Sequence, residues 1–313
     1  MKTKPSDLLR KTPAICLVAG ICSFLWGSAF PFIKIGYQLF SINADDTASQ
    51  MLFAGIRFTI AGILAAAAGS IIKKKPLIPK KSDIMPVFVL SLFQTILQYF
   101  FFYIGMANTS GVKGSVIIGS SSFVAILVAS LVFRTEKLTA KKVIGSVIGF
   151  SGIILINLQG LTEGTMKITG EGFVFLSTVA YAFSSCIMKR YSVKHDTFVL
   201  SSYQFIAGGL VMALTGLIMN GRITFSGISS VSVLMYLSFI SAAAYTLWSI
   251  LLRYNDVSSV SVFGFMNPMF GFILSAILLN EKSEASGLTG ILAILLVCTG
   301  IFIVNKNKKV AKN

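Results

Sequence analysis

Acidic residues are scarce in this chain of 313 residues: 11 Asp and Glu stand against 27 Lys and Arg. All 11 fall in loops or at the ends of apolar runs. Proton-coupled carriers commonly relay through buried carboxylates, so a dedicated carboxylate relay has little to be built from. The same scarcity disfavours a cationic solute held by a buried acid. Histidine occurs once, and the four cysteines (Cys16, Cys22, Cys186, Cys298) form no CxxC pair; no metal site or cofactor motif is visible, and these cysteines read as small packing residues. His195 sits in a basic loop and reads as solvated. Long polar stretches are missing as well. The longest runs from about Gln159 to Glu171, too short for a soluble domain. Gly145, Gly149 and Gly152 follow no strand and precede no Lys-Ser/Thr, so they are no nucleotide loop; their spacing suits close helix packing.

What is abundant is apolar sequence. Hydrophobic residues make up 55% of the chain. They gather in ten segments: 14–33, 51–72, 84–105, 114–133, 143–158, 172–188, 198–219, 231–252, 257–279 and 287–304. A helix needs about 20 mostly apolar residues to cross a hydrocarbon core ~30 Å thick. Most segments reach that length, while 143–158 and 172–188 are short. Only Arg57 lies well inside one. The expected class is an all-α integral membrane protein with ten transmembrane helices.

The basic residues set an orientation. Alternate connections carry Lys2, Lys4, Arg10, Lys11, then Lys73–Lys75, Lys80, Lys81, then Arg134, Lys137, Lys141, Lys142, then Lys189, Arg190, Lys194, then Arg253, and finally Lys306, Lys308, Lys309 and Lys312. The opposite loops hold only Lys34, Lys113, Lys167, Arg222 and Lys282. Lys and Arg accumulate on the cytoplasmic side. Both termini, the basic tails 1–13 and 305–313, are therefore expected in the cytoplasm, with the chain in the plasma membrane. The net charge of +16 is then a topological signal with some attraction to anionic lipid headgroups, not a sign of nucleic-acid binding. The first span follows a basic stretch, as a signal peptide would; nine further spans and Pro31 argue for an uncleaved first helix.

The chain also repeats itself. Val112 to Glu136 and Val257 to Glu281 are each 24 residues apart, each Glu is followed by Lys, and a Gly comes nine residues after each Glu (Gly145, Gly290). Arg57-Phe58 matches Gln204-Phe205, and Trp26/Lys34 matches Tyr181/Lys189 in spacing. Two five-span units, 14–158 and 172–304, follow from these matches. Five is odd, so the second unit enters the bilayer from the opposite side: an inverted repeat, with 136–142 inside and 281–286 outside. Such repeats are common in transporters that rock around a central site.

The residues FLWGSAFPFIK in the first span, and AYTLWSILLRYNDVSSVSVFGFMNPMFGFILSAILLNEK over 244–282, resemble the EamA-type family of the drug/metabolite transporter superfamily. The resemblance runs from about 14 to 304. It implies ten helices in two five-helix repeats, a central cavity, and export of small metabolites as the commonest activity. One departure is Phe123, which stands where the second repeat has Pro268; another is the longer interval from Gly290 to Gly300 compared with Gly145 to Gly152.

Polar groups in a bilayer are costly and face the bundle interior. The candidate solute-binding residues follow from that rule: Trp26, Arg57, Gln94, Gln98, Ser121, Tyr181, Tyr245, Trp248 and Asn267. Arg57 either snorkels or pairs structurally, or it attracts an anionic group. Gln94 and Gln98, one helical turn apart, bind either a solute or a neighbouring helix. Tyr99 and Tyr103 form a second pair at the same spacing. Pro268 frees a backbone carbonyl near mid-membrane, as a binding element or a simple kink.

The expected function is a secondary transporter, an exporter on the family resemblance, of small organic metabolites such as amino acids or related zwitterionic or neutral compounds, working by alternating access. A phosphorylated-sugar or nucleotide-sugar antiporter is the alternative, although it calls for several buried cations. A membrane scaffold without transport is the alternative of a different class. An enzyme would need a clustered acid/base or nucleophilic set, and none is present. The expected partners are the organic solute and membrane lipid, and a homodimer is compatible with the sequence.

Overall fold

The computed structural model describes residues 8–43, 45–109, 111–156, 167–278 and 288–306. Among them the chain is helical and contains no strand. Helix α1 is Thr12–Leu39 and α2 is Thr47–Lys73. Helix α3 joins Ile84–Leu90, a π-helical stretch Ser91–Leu97 and Gln98–Ala107. Helix α4 joins Gly111–Gly119, Ser121–Leu127 and a π-helical end Val128–Val132. Helix α5 is Ala140–Ile156; α6 starts with a π-helical turn, Ile168–Gly172, and continues as Phe173–Ser192. Then come α7 (Thr197–Ile218) and α8 (Ile228–Tyr254). Helix α9 joins Val257–Ser261, a 3-10 turn Val262–Phe265 and Met266–Leu278, and α10 is Leu288–Asn305.

Eight of these helices are long and apolar enough to cross a membrane, and α10 is a shorter apolar helix. The segment expected to be short at 172–188 is longer than its apolar run, because the π-helical turn and a polar last turn extend α6 to Ile168–Ser192. Segment 143–158 does remain short, as α5. Helix α1 runs past Lys34, which sits exposed on its last turns, and Lys113 lies buried in the first turn of α4 instead of in a loop. The Glu281-Lys282 turn and the segment 157–166 lie outside the described residues.

Two helix starts are fixed by side-chain caps. Asp46 accepts from the Ser49 N–H at 2.9 Å and caps α2; Asp196 accepts from the Phe198 N–H at 2.9 Å and caps α7. Within the helices, buried hydroxyls such as Ser249, Ser238 and Thr59 donate to carbonyls one turn back, which satisfies them without water. Large apolar residues such as Leu17, Ile72, Leu217 and Phe302 point outward, as a lipid-facing surface requires.

Packing is pairwise. The most extensive helix contact is α2 with α7, followed by α5 with α10. Helix α1 packs on α8 and α9, and α6 packs on α3 and α4. Close approach on the α5–α10 seam rests on Gly145 and Gly300: a Cβ on Gly300 would lie 2.5 Å from the Gly145 carbonyl oxygen. Helices α4 and α9 both break, and they break at matching places. Ser120 interrupts α4 eight residues after Val112, and the 3-10 turn of α9 ends at Phe265, eight after Val257. The breaks touch, since Ser122 Oγ lies 2.6 Å from where a Cβ on Gly264 would stand. Phe123 in place of the proline therefore does not abolish the break in α4.

Candidate functional site

A cavity of about 180 Å³ opens between α1, α2, α3, α4, α6, α8 and α9. That is below the ~300–1,000 Å³ of pockets that hold drug-sized ligands, and it suits a solute of metabolite size. Seven of the nine candidate residues border it: Trp26, Arg57, Gln98, Ser121, Tyr181, Tyr245 and Asn267. They arrive from seven different helices, which local sequence spacing alone could not have brought together.

The floor is aromatic. Trp26 meets Tyr245 edge-on with ring centroids 5.0 Å apart, and Tyr245 meets Phe205 likewise at 5.0 Å. Phe205 stacks on Phe58 at 5.3 Å with the rings 3° from parallel. The two phenylalanines that match in the sequence repeat are thus in direct contact across α2 and α7. Phe58 also packs on Tyr99 at 4.4 Å, and the Tyr99 and Tyr245 hydroxyls share a hydrogen bond of 2.7 Å.

Among the described residues, Arg57 is the one charged residue on the lining. It is buried, with 4% relative exposure, and among the described residues no carboxylate pairs with it. Its guanidinium carbon lies 4.4 Å from the Phe58 ring centroid. A cation–π contact contributes about 0.5–2 kcal/mol, while an arginine at the centre of a membrane helix costs about 2.5–3.5 kcal/mol even on the lenient insertion scale. The ring offsets part of that cost only. The side chain lies on the cavity wall and not on the outer surface of the bundle. Other polar atoms here lack partners too: Arg57 Nε, Gln98 Oε1, Asn267 Oδ1 and Trp26 Nε1 are buried without a hydrogen bond.

Two candidates are displaced. Gln94 is buried but off the cavity. The i, i+4 argument assumed 3.6 residues per turn, whereas Gln94 lies in the π-helical stretch of α3, whose wider turn rotates it away from Gln98. Trp248 stands one layer back, 2% exposed, with its ring 4.9 Å from that of Trp26. Ser177, Thr178 and Ser241 also line the cavity and were missed. Their signal was available: Ser177 is one turn before Tyr181, and Ser241 one turn before Tyr245.

The profile of the EamA-like transporter family matches residues 13–158 and again 168–305. The chain belongs to this family. It is 28% identical over 276 residues to an uncharacterized transporter of Archaeoglobus fulgidus, covering 86% of this chain and 90% of the relative. It is 26% identical over 313 residues to the uncharacterized transporter YvbV of Bacillus subtilis, covering 97% and 95%. A probable amino-acid metabolite efflux pump of Escherichia coli is 22% identical over 296 residues, covering 89% and 90%. A solved crystal structure shares the fold, with a TM-score of 0.75 over 94% of this chain and 96% of that one at 14% identity. The protein is a membrane transporter, not an enzyme.

In this EamA-family transporter the two ends of the bundle differ. At the end bearing the α4–α5 and α8–α9 connections, the Ser258 N–H donates to Glu136 Oε1 at 3.0 Å and the Ser258 hydroxyl donates to Glu136 Oε2. Lys142 Nζ joins the same carboxylate at 2.6 Å. Lys189 Nζ donates to the Asn255 carbonyl, and Asn255 Nδ2 donates to the Leu9 carbonyl at 3.0 Å. His195 belongs to this end and is not simply solvated: its Nδ1 lies 2.6 Å from Asp83 Oδ1, because the α6–α7 connection folds over the start of α3. Val128, Leu251, Val260 and Phe265 belong to one buried apolar cluster against which Trp26 of the cavity wall also packs. At the opposite end, Glu171 accepts from Thr109 Oγ1 at 2.9 Å and pairs with Lys113 at 3.8 Å. Ser23 donates to the Phe263 carbonyl at 3.0 Å, so a carbonyl of the 3-10 turn before Pro268 is used to dock α1. The break in α9 is in this respect a packing joint.

Proposed function

We propose that this protein is a secondary transporter of small organic metabolites, amino acids or related zwitterionic or neutral compounds among them, and that it exports them by alternating access. On this reading ten helices cross the plasma membrane as two inverted five-helix units, 14–158 and 172–304, with both termini in the cytoplasm. The observation that carries it is the cavity itself: helices of both units wall it, and its lining residues Arg57, Gln98 and Asn267 each hold a buried polar atom without a protein partner. Protein interiors rarely leave such groups unmatched, so a polar solute is their natural complement.

The packing supports the inverted arrangement. If α1–α5 correspond to α6–α10, then α1 on α8 and α9 has its counterpart in α6 on α3 and α4, and α2 with α7 and α5 with α10 are self-matching pairs. That is the pattern a pseudo-two-fold axis produces. Basic residues gather at the Glu136 end, which we take as cytoplasmic. The cavity lies nearer the other end, so the conformation is one closed to the cytoplasm. The Escherichia coli relative named as an amino-acid metabolite efflux pump is in keeping with this solute class. An antiporter of phosphorylated sugars fits less well, since a dianion calls for more than the single lining cation.

The decisive experiment is flux. Purified protein in liposomes, preloaded with single radiolabelled amino acids, should release at least one of them faster than protein-free vesicles do. Replacing Trp26 and Asn267 together by Ala should abolish that release in protein that still elutes as a folded species. Release unchanged by the double replacement would remove the cavity from the mechanism.

A further inference from the structure

We infer that Arg57 holds the carboxylate of the solute, so that the cavity selects monocarboxylates with an aromatic or apolar body over the matching neutral amides and amines. This deepens the transport reading and rests on it. A guanidinium presents a planar fork of N–H donors that matches a carboxylate in a bidentate grip. In this cavity that fork has a ring on one side, Phe58 at 4.4 Å, and no acid among the described residues to neutralise it. Its Nε is buried and unpartnered.

The remainder of the lining describes the rest of the solute. Trp26, Tyr99, Phe102 and Tyr245 present aromatic surface, which accepts an apolar body and repels nothing about its shape beyond size. Gln98 and Asn267 add neutral amides to the lining, which can hydrogen-bond an N–H or O–H on the same solute. An amine has no carboxylate to meet, and it would sit beside a like charge. A dianion would leave its second charge unpaired in a space walled by rings. Sites built around a buried charged group reject analogues that lack the complement far more strongly than apolar pockets reject a missing methylene.

The chain has two tryptophans, Trp26 on the cavity wall and Trp248 against it, so intrinsic fluorescence reads the site directly. Purified protein in nanodiscs of neutral phosphatidylcholine would be titrated with 3-phenylpropanoate, with its near-isostere 3-phenylpropanamide, and with 2-phenylethylamine. We expect saturable quenching by the carboxylate and at least about tenfold weaker binding of the other two. Arg57→Gln should erase the preference, and Arg57→Lys should keep part of it, because Lys retains the charge but not the fork. Equal affinity for acid and amide in the native protein overturns the proposal with no variant needed. So does an undiminished preference in folded Arg57→Gln, or the absence of saturable quenching by the acid up to millimolar concentration. Liposome flux over a panel of amino acids and aromatic carboxylates runs in parallel. Flux without a carboxylate preference defeats this inference alone, whereas selective binding with no flux of any panel member defeats the transport reading instead.

Discussion

At the scale of single residues, the site depends on hydroxyl and ring contacts that cross helices. The Tyr99–Tyr245 hydrogen bond joins α3 to α8 through 2.7 Å. Interhelical hydrogen bonds in membranes contribute about 0.6 kcal/mol on average and up to about 1.7. Tyr99→Phe and Tyr245→Phe should each lower stability by a fraction of that order, and the double variant should cost less than the sum. A double-mutant cycle on reversible unfolding in detergent measures the coupling; strict additivity would show that the bond contributes nothing. Trp248 teaches a different lesson. Its burial behind Trp26 makes it a support, so Trp248→Phe should alter solute affinity less than Trp26→Phe does, as judged by liposome flux.

At the scale of elements, α9 begins without its own side-chain cap, since Asp256 makes no capping bond, and Glu136 from the end of α4 serves instead through the Ser258 N–H. An N-cap contributes about 1 kcal/mol, and removing the partner of a buried donor costs more. Glu136→Ala should therefore loosen the α4–α9 junction by a few kcal/mol at most. A cysteine introduced at Ser261, in a variant without the four native cysteines, should then react faster with a maleimide added on the Glu136 side. Helix seams give a cleaner contrast. Gly300→Leu would drive a side chain into the Gly145 carbonyl and should lower the unfolding temperature sharply, whereas Gly20→Ala has nothing within 4 Å to meet and should leave it unchanged or slightly raised. Most of this layer was legible in the sequence. Apolar length located the helices, and Pro268 pointed to a break in α9, whereas no proline marks the break in α4. Helix geometry was not legible: the π-helical stretches in α3, α4 and α6 leave no mark in hydropathy, and one of them moved Gln94 off the cavity. Polar contacts between distant loops, such as His195 with Asp83, were equally hidden, because they depend on where loops meet.

At the scale of the whole molecule, the charge pattern makes a topological prediction. Single cysteines at Lys137 and at Arg222 should label from opposite faces of intact cells, with Lys137 protected from an impermeant reagent added outside. Labelling of both from one face would break the proposed orientation. Arg57 carries a further consequence, for among the described residues it is the one charged residue on the cavity lining. With the cavity empty, that cation feels whichever side the cavity faces; with a monocarboxylate aboard, the pair is neutral. On the proposed alternating access, membrane voltage would act on the unloaded protein and leave the loaded one indifferent. An inside-negative potential would hold the unloaded cavity toward the cytoplasm, by about 2.3 kcal/mol per 100 mV if the full field is felt. Each turnover would then carry one negative charge outward, and resetting the carrier would be the step the potential accelerates. A potassium diffusion potential imposed with valinomycin, inside negative, should speed export of a carboxylate and leave its neutral amide unaffected. The same potential would have no such effect in Arg57→Gln. A single arginine would in this way turn the resting voltage of the cell into a direction of transport.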